Sequence, residues 1–350
     1  MSRFLAFPEP SQSRKLAILL VNLGTPDAPD AVSVRRYLAE FLADPRIVEQ
    51  PRWLWWLVLN GIILRTRPAR SARAYAKVWT PEGSPLQVET TALASRLQSV
   101  CAAEFGDQVL VRHAMRYGSP SIADTLADLA RSGMRRLLVL PLFPQYSATT
   151  TASVFDAVSA TLRHWRRLPE LRLVNDYCHE ASHIDALARS VERHWRANGR
   201  ADRLLLSFHG IPERYVRNGD PYREQCETTT QLLRQRLGMN ESELLLSYQS
   251  RLGREPWLQP YTDKTLASLP AQGARSVDVM CPGFAVDCLE TLEEIAMEGR
   301  ATFLEAGGTT FNYIPCLNDN EDQVGSILAL VRRHCAGWPE MQRAATEIES

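Results

Sequence analysis

The alternation of short apolar runs with longer amphipathic segments constrains the fold of this chain more than any other feature. Helical periodicity separates the runs, for instance over residues 120–132 and 152–166. Strands that alternate with helices predict a parallel sheet with right-handed crossovers. In the first half of the sequence, four runs are typical of buried strands: residues 16–23, 109–116, 136–143 and 171–176.

The same pattern then starts again. Four further strand-like runs follow, at residues 203–209, 244–248, 276–280 and 311–314. A length of 350 residues is comfortable for two domains. We therefore predict two similar doubly wound α/β domains, at 1–175 and 176–320, each with a four-stranded parallel sheet flanked by helices. A last helix within 321–338 is expected to cross back and pack on the first domain.

Charge and cysteine usage exclude several classes of protein. The 40 Lys and Arg residues balance the 40 Asp and Glu residues, which gives no support for a nucleic-acid partner. The sequence contains neither GxGxxG nor GxxxxGK[ST], so nucleotide binding has no support either. Residues 1–15 lack the pattern of a signal peptide, and the seven cysteines form no CxxC pair. We therefore expect a cytoplasmic protein with free thiols.

The segment Trp53–Leu64 (WLWWLVLNGIIL) is the longest apolar stretch. It is too short to span a bilayer, which requires about 20 apolar residues, and Asn60 and Gly61 interrupt it. Two interpretations stay open. It forms a buried helix, or it forms an exposed lip that contacts a flat apolar ligand or the inner face of the membrane, because indole rings favour interfaces.

Ligands of doubly wound proteins lie beyond the carboxyl ends of the strands, which makes His209 a candidate functional residue. His209 ends the apolar run 203–209. A histidine at the mouth of a cleft suits a general base or a metal ligand. The alternative is a ring that only hydrogen-bonds a nearby backbone carbonyl.

A row of acidic residues follows Cys281, on a helix predicted to begin around Val286. At about 100° per residue, its four carboxylates fall within a sector of about 80°. Such a row either forms a solvated helix face or relays a hydrated divalent cation or protons. Its members are Asp287, Glu290, Glu294 and Glu298.

A histidine facing carboxylates suits the metallation of a porphyrin. That reaction removes two pyrrolic protons, delivers a divalent metal, and requires apolar walls that hold and bend the ring. Arg67 and Arg70 could hold propionate groups, or could belong to a basic helix surface. The candidate wall residues are Leu23, Tyr117, Ile211, Trp257 and the segment Trp53–Leu64.

Six motifs in one order make the chain similar to a known family. The resemblance is to ferrochelatases, most of all the proteobacterial form, and it extends from about residue 15 to residue 318. Because the motifs are long and lie in family order, chance similarity is excluded. They are LLVNLGTPDAP, MRYGSP, LPLFPQYSATTTAS, SFHGIPERYVRNGDPY, SYQSRLGREPWLQPYTD and CPGFAVDCLETLEEI.

The resemblance implies two Rossmann-like domains, with a porphyrin bound in the cleft between them. It implies insertion of Fe²⁺ into protoporphyrin IX to form protohaem, the terminal step of haem biosynthesis. His209 and Glu290 are implied as the central catalytic pair, and the acidic helix as π-distorted. It places Asp287 and Glu294 on the acidic side, Arg116, Tyr117 and Trp257 around the pocket, and Arg67, Arg70 and Ser84 on the propionate side. Together with the acidic row and the wall residues, the predicted metal side comprises His209, Glu290, Glu294, Asp287 and Glu298, and the predicted substrate side comprises Leu23, Ile211, Arg116, Tyr117, Trp257, Arg67, Arg70 and Ser84.

Three departures from the family pattern bear on cofactors. Cys288 stands where some relatives have histidine, and Leu23 stands where some have methionine. Some relatives bind an iron–sulfur cluster through a cysteine-rich tail, whereas this tail offers only Cys316 and Cys335. We therefore expect no cluster and no permanently bound cofactor, with Fe²⁺ present only as a substrate. We also expect a monomer.

Three other functions compete with this one. A related chelatase could take another metal and ring, such as cobalt and a sirohydrochlorin. Iron insertion into coproporphyrin is a closer variant, which Arg67 and Arg70 do not separate from the protoporphyrin reaction. A haem carrier would need an axial ligand but no acidic row, so Glu290 and Glu294 argue against it.

Overall fold

A computed structural model describes residues 4–7, 15–251, 253 and 255–341. Its first sheet has four parallel strands in the order β2-β1-β3-β4. All four lie where the apolar runs predict them. They are β1 (Lys15–Gly24), β2 (Val109–Tyr117), β3 (Met134–Pro141) and β4 (Glu170–Leu173).

The second sheet repeats this topology, with the order β6-β5-β7-β8 and parallel pairing throughout. Each sheet reverses its winding direction beside its first strand, and ligands of such folds bind outside the carboxyl ends of the strands at that point. In the second sheet that strand is β5, which ends at His209. The strands are β5 (Arg203–His209), β6 (Leu244–Gln249), β7 (Ser276–Met280) and β8 (Thr310–Ile314).

Helices cover both faces of the first sheet. Because β1 is apolar along its length, both of its faces are buried, as is typical of central parallel strands. Ile18 and Leu20 pack towards α4, whereas Leu19 and Val21 pack towards α5 and α6. The helical segments are α1 (Ala31–Ala43), α2 (Arg52–Val58), a π-helical turn (Leu59–Ile63), α3 (Leu64–Val78), α4 (Pro85–Phe105), a 3₁₀ turn (Gly106–Gln108), α5 (Ile122–Arg131), a π-helical turn (Ala148–Ala152) and α6 (Ser153–Leu162).

The second sheet is covered in the same way. Leu206 and Phe208 pack towards α7 and α9, and Leu205 packs towards α10 and α11 on the opposite face. We call the segment Glu290–Gly299 the acidic π-helix. The other helical segments are α7 (Ala181–Asn198), α8 (Glu213–Arg217), α9 (Tyr222–Leu237), α10 (Thr262–Ser268), a 3₁₀ turn (Pro270–Gln272), α11 (Arg300–Glu305), α12 (Glu321–His334) and a 3₁₀ turn (Pro339–Met341).

The helix α12 returns from the second sheet to the first. Its residues Val324, Ile327 and Val331 belong to the same core as Ile18 and Leu20 of β1. The helix therefore supplies part of the interior of the first sheet's domain. The domain limits at 175 and 320 stay a prediction.

The segment Trp53–Leu64 forms α2 and the π-helical turn after it. Trp53 is 71% exposed and Trp56 is 63% exposed, so the buried-helix interpretation is wrong for both residues. Trp55 differs, because its indole N–H donates a 2.6 Å hydrogen bond to the carbonyl of Leu42. Among the helices that the structure describes, none has the length and apolar character needed to cross a membrane.

Candidate active site

His209 lies at the carboxyl end of β5 and is half-buried. Its Nδ1 is 2.7 Å from the carbonyl oxygen of Gly210. In the neutral ring this bond places the proton on Nδ1 and leaves the lone pair of Nε2 available. The ring also packs edge-on against Phe284, with 6.5 Å between the centroids. The backbone hydrogen bond considered as an alternative role is thus present, and it orients the ring.

Gly210 allows the chain to turn tightly after His209. Its N–H donates a 2.8 Å hydrogen bond to the carbonyl of Gln249, at the end of β6. A Cβ at this position would lie 2.8 Å from that carbonyl oxygen and 3.3 Å from Cε3 of Trp257. Only glycine fits here without displacing the backbone, so Gly210 lets the chain pass close to Gln249 and Trp257 directly after His209.

The acidic row does not lie on one α-helical stripe. The helix begins at Leu289, and not around Val286 as predicted, and it is π-helical over Glu290–Gly299. The prediction that the four carboxylates fall within about 80° assumed α-helical geometry. The wider i→i+5 turn of a π-helix changes the angle between successive residues, so that prediction does not hold here. It agrees with the distortion that the family resemblance implies. The carboxylates consequently point to different surroundings.

Glu294 is held in place by Ser250, the residue that directly follows β6. It accepts a 2.7 Å hydrogen bond from the backbone N–H of Ser250 and another from the Ser250 hydroxyl. Burial raises the pKa of Glu294, and the neighbouring Glu290 raises it further. The hydrogen bonds from Ser250 and the proximity of His209 oppose this rise without cancelling it. Glu294 is therefore easier to protonate than an exposed glutamate.

Glu290 lies at a narrow cavity, which Leu23, Ser84 and Cys288 also line. Its backbone carbonyl accepts a 2.8 Å hydrogen bond from the side-chain amide of Gln249. The same amide lies 3.4 Å from the Glu294 carboxylate. Gln249 thus connects the end of β6 to both glutamates, a role that its strand-end position alone did not reveal.

Asp287 is held by hydrogen bonds of its own, and its predicted role as a metal ligand stays a prediction. It is buried and accepts hydrogen bonds from the Tyr313 hydroxyl at 2.5 Å, the Asn318 amide at 2.8 Å and the Thr291 hydroxyl at 3.0 Å. These bonds occupy its oxygens and tie the start of the acidic π-helix to β8. Glu298, at the other end, is exposed.

Glu293 also belongs to the candidate site, although the predicted row of acidic residues did not include it. It is buried, and its carboxylate lies 2.5 Å from Nζ of Lys77 on α3. The ion pair joins a helix that follows the exposed lip to the acidic π-helix of the second sheet's domain. In the π-helix, Glu293 lies between Glu290 and Glu294, so the pair acts on the segment that carries both.

Arg116 and Tyr117 end β2 in a network centred on Asp44. One Asp44 oxygen accepts from the Arg116 guanidinium at 2.5 Å, the Ser153 hydroxyl at 2.7 Å and the Tyr117 hydroxyl at 2.8 Å. Burial alone would raise the pKa of Asp44, but these bonds and the Arg116 charge hold it below its usual value. Asp44 directly follows α1 and belongs to no recognisable motif, so its role in this network could not be predicted from the sequence.

Three predicted substrate-side residues are buried in this structure, and their contact with a substrate stays a prediction. The Tyr117 ring is covered and its hydroxyl is engaged by Asp44. Ile211 belongs to the core of the second sheet's domain. Ser84 caps α4, where its hydroxyl accepts a 3.3 Å hydrogen bond from the N–H of Gln87. These residues support the cleft from behind its surface.

The other predicted substrate-side residues are accessible to different degrees. Leu23 and Trp257 are half-buried. Arg67 and Arg70 lie on the exposed side of α3, and burial together with the Arg70 charge lowers the pKa of Arg67. Within the described residues neither arginine forms an ion pair with a carboxylate. Both therefore keep their charge available for an anionic ligand.

The two parallel sheets and the strand-end site define a doubly wound α/β protein of Rossmann-like fold. SirB from Bacillus subtilis with Fe³⁺ aligns at a TM-score of 0.54 and 12% identity, covering 92% of this chain and 96% of that one. The cobalt complex of sirohydrochlorin chelatase SirB from Bacillus subtilis subspecies spizizenii aligns at 0.52 and 12% identity, covering 94% and 98%. At such identities the likeness shows the fold, which confirms the predicted fold class.

The ferrochelatase family model matches residues 15–335, and the chain belongs to that family. Ferrochelatase of Methylibium petroleiphilum is 55% identical over 336 residues, which cover 95% of this chain and 92% of the relative. Ferrochelatase of Teredinibacter turnerae is 54% identical, with coverage of 97% and 93%. The family resemblance drawn from the six motifs is confirmed.

Proposed function

We propose that this chain inserts Fe²⁺ into protoporphyrin IX, forming protohaem and releasing two protons. Membership of the ferrochelatase family supports this reaction. One observation supports the site: the half-buried Glu294, with its raised pKa, lies within electrostatic reach of both His209 and Glu290 where β5 and β6 end. A carboxylate that protonates readily beside a histidine suits a reaction that removes protons and delivers a cation.

In this proposal His209 and Glu290 act on the macrocycle. The Nε2 lone pair of His209 accepts a pyrrolic proton, since its Nδ1 is engaged by Gly210. Glu290 binds the incoming Fe²⁺, which suits an oxygen ligand, and Glu294 lies on the route by which the metal arrives and the second proton leaves. Glu298 lies at the exposed end of the same helix, where the metal enters.

We propose that Leu23 and Trp257 form the walls that contact the porphyrin. The Asp44 network holds Arg116 and Tyr117 rigid behind them, and a rigid wall is what bending the ring requires. Arg67 and Arg70 take the propionates by charge-assisted hydrogen bonds.

Anaerobic incubation with protoporphyrin and ferrous iron tests the reaction, because the absorption spectrum changes from porphyrin to haem. We expect His209→Ala to abolish turnover while porphyrin still binds. His164→Ala, at a histidine in the other domain, is the matched control and should turn over at the parent rate. Turnover by His209→Ala at the parent rate would show that another group is the base.

The same assay separates the substrates. We expect a higher kcat/KM for protoporphyrin than for coproporphyrin, which carries four propionates, since membership of the ferrochelatase family favours the protoporphyrin reaction. A higher value for coproporphyrin would overturn the substrate assignment and leave the chemistry intact.

We further propose a cytoplasmic monomer that contacts the inner face of the membrane through the segment Trp53–Leu64. The exposure of Trp53 and Trp56 supports the membrane contact. Fe²⁺ enters as a substrate, and no iron–sulfur cluster is expected. Elemental analysis of the purified protein for iron and acid-labile sulfide tests that expectation.

A further inference from the structure

The linker between β4 and α7 carries three different metal-binding side chains within four residues. They are Asp176, Cys178 and His179. The linker is held from both sides, because the N–H of Tyr177 donates to the carbonyl of Pro144 at 2.9 Å, and the carbonyl of Cys178 accepts from the hydroxyl of Thr229 at 3.0 Å. Its conformation is therefore fixed by the fold.

The three candidate ligand atoms form a compact triangle. The Cys178 Sγ lies 3.9 Å from Oδ1 of Asp176 and 3.7 Å from Nδ1 of His179. The third side, from Nδ1 of His179 to Oδ1 of Asp176, is 3.5 Å. An oxygen, a sulfur and a nitrogen atom thus converge from adjacent positions of one loop.

These distances match the edges of a zinc coordination tetrahedron. With Zn–S of about 2.3 Å and Zn–N and Zn–O of about 2.0–2.1 Å, tetrahedral angles give edges of about 3.5 Å for S–O, about 3.6 Å for S–N and about 3.3 Å for N–O. The N–O edge is the shortest in both sets, and each observed edge exceeds its calculated value by at most about 0.4 Å. Small side-chain shifts would bring all three atoms to bonding distance.

A carboxylate lies on the far side of the His179 ring, and one coordination position of the triangle is open to solvent. The other ring nitrogen of His179, Nε2, lies 3.5 Å from Oε1 of Glu180, which also pairs with Arg333. A carboxylate on the far side of a ligating imidazole fixes the ring and strengthens its bond to a metal. The Cys178 residue is only 2% exposed, whereas the His179 side chain is 59% exposed. The fourth position therefore faces solvent.

We propose that Asp176, Cys178 and His179 bind one Zn²⁺, with water in the fourth position, at a site separate from the His209 cleft. The mixed oxygen, nitrogen and sulfur set suits Zn²⁺, whereas Mg²⁺ and Ca²⁺ prefer oxygen ligands alone. Binding displaces the thiol proton of Cys178 to solvent and forms one Zn–S bond. The metal would brace the linker between the two sheets. The proposal does not depend on the porphyrin reaction.

Two measurements on the full-length, reduced and metal-stripped protein test this site. Equilibrium dialysis against Zn²⁺ should show one more bound equivalent for the parent than for His179→Gln or Cys178→Ser. With Co²⁺ in place of Zn²⁺, the parent should show the thiolate-to-cobalt charge-transfer band and the intense visible bands of a tetrahedral site. Turnover should be unchanged in both variants.

Cys288→Ser is the matched control, because Cys288 is the thiol beside Glu290 and could bind cobalt in the catalytic cleft. The charge-transfer band should persist in Cys288→Ser and disappear in Cys178→Ser. A band lost only in Cys288→Ser, or equal Zn²⁺ stoichiometry in the parent and His179→Gln, would overturn the proposal. His179→Gln changes an exposed side chain, so it keeps the test decisive even where replacing the buried thiol prevents folding.

Discussion

Replacing Asp44 by asparagine should destabilise the protein strongly, because the carboxylate anchors three buried donors. The Asp44 side chain is 5% exposed and that of its partner Arg116 is 18% exposed. Asparagine keeps the shape and one acceptor oxygen, but it removes the charge and leaves the guanidinium without its counter-ion. Removing one partner of a buried ion pair costs about 3–5 kcal/mol. Since the amide oxygen retains part of the hydrogen bonding, we expect a loss of about 3 kcal/mol in the free energy of unfolding.

Urea denaturation followed by tryptophan fluorescence measures this loss, and Asp156→Asn is the matched control. Asp156 also pairs with an arginine, Arg46, but those two side chains are 45% and 40% exposed. Exposed ion pairs contribute about 0–1 kcal/mol, so the control should lose far less stability. Equal, small losses in both variants would refute the idea that the Asp44 network stabilises the end of β2.

The difference in the free energy of unfolding between the parent and Asp44→Asn should change with pH in a defined direction. The pKa of Asp44 is lowered in the folded protein, so its stabilisation is complete above the unfolded value of about 3.9 and is lost as the pH falls towards the folded value. The difference between the parent and Asp44→Asn should therefore be constant from pH 7 to about pH 5 and shrink below about pH 4. A difference that persists unchanged at low pH would show that the charge of Asp44 is not its source.

Three further predictions concern the acidic π-helix and the lip. Glu294→Gln should raise the KM for Fe²⁺ more than it lowers kcat, and Glu298→Gln should do so only weakly; equal and negligible effects in metal kinetics would mean that the row is a solvated face. Trp53→Ser with Trp56→Ser should weaken binding to lipid vesicles without unfolding, and a cooperative loss of structure by circular dichroism would show that the indoles belong to the core. Lys77→Met should lower kcat several-fold, and exchanging the charges of Lys77 and Glu293 should restore it; unchanged kinetics in Lys77→Met would leave the pair a purely structural role.

The strands could be predicted from the sequence because most are apolar runs, and the central strands β1 and β5 are buried on both faces. The prediction placed all eight within three residues of their observed ends. His209 could be predicted for a related reason, since a polar residue that ends such a run must lie at the carboxyl edge of the sheet. Both inferences depend only on local pattern and topology.

The remaining parts of the site depend on contacts between distant segments. The α-helical period placed Asp287 beside Glu290, but hydrogen bonds from Tyr313 and Asn318 hold its carboxylate, and no local pattern contains those partners. Glu293 fell outside the predicted stripe because the helix is π-helical. Asp44 became important only through Arg116, which lies 72 residues further along the chain. The packing of α1 against α3 was equally hidden, since these two helices contact one another more than they contact the sheet.

The return of α12 to the first sheet makes the second sheet's domain an insertion within the first. The chain crosses between the domains twice, once through the linker 174–180 and once through residues 315–320, after β8. The two crossings determine the order in which the two cores are completed during translation. The first core lacks Ile327 and Val331 until nearly the whole chain has emerged, so the first domain to be translated is the last to be completed.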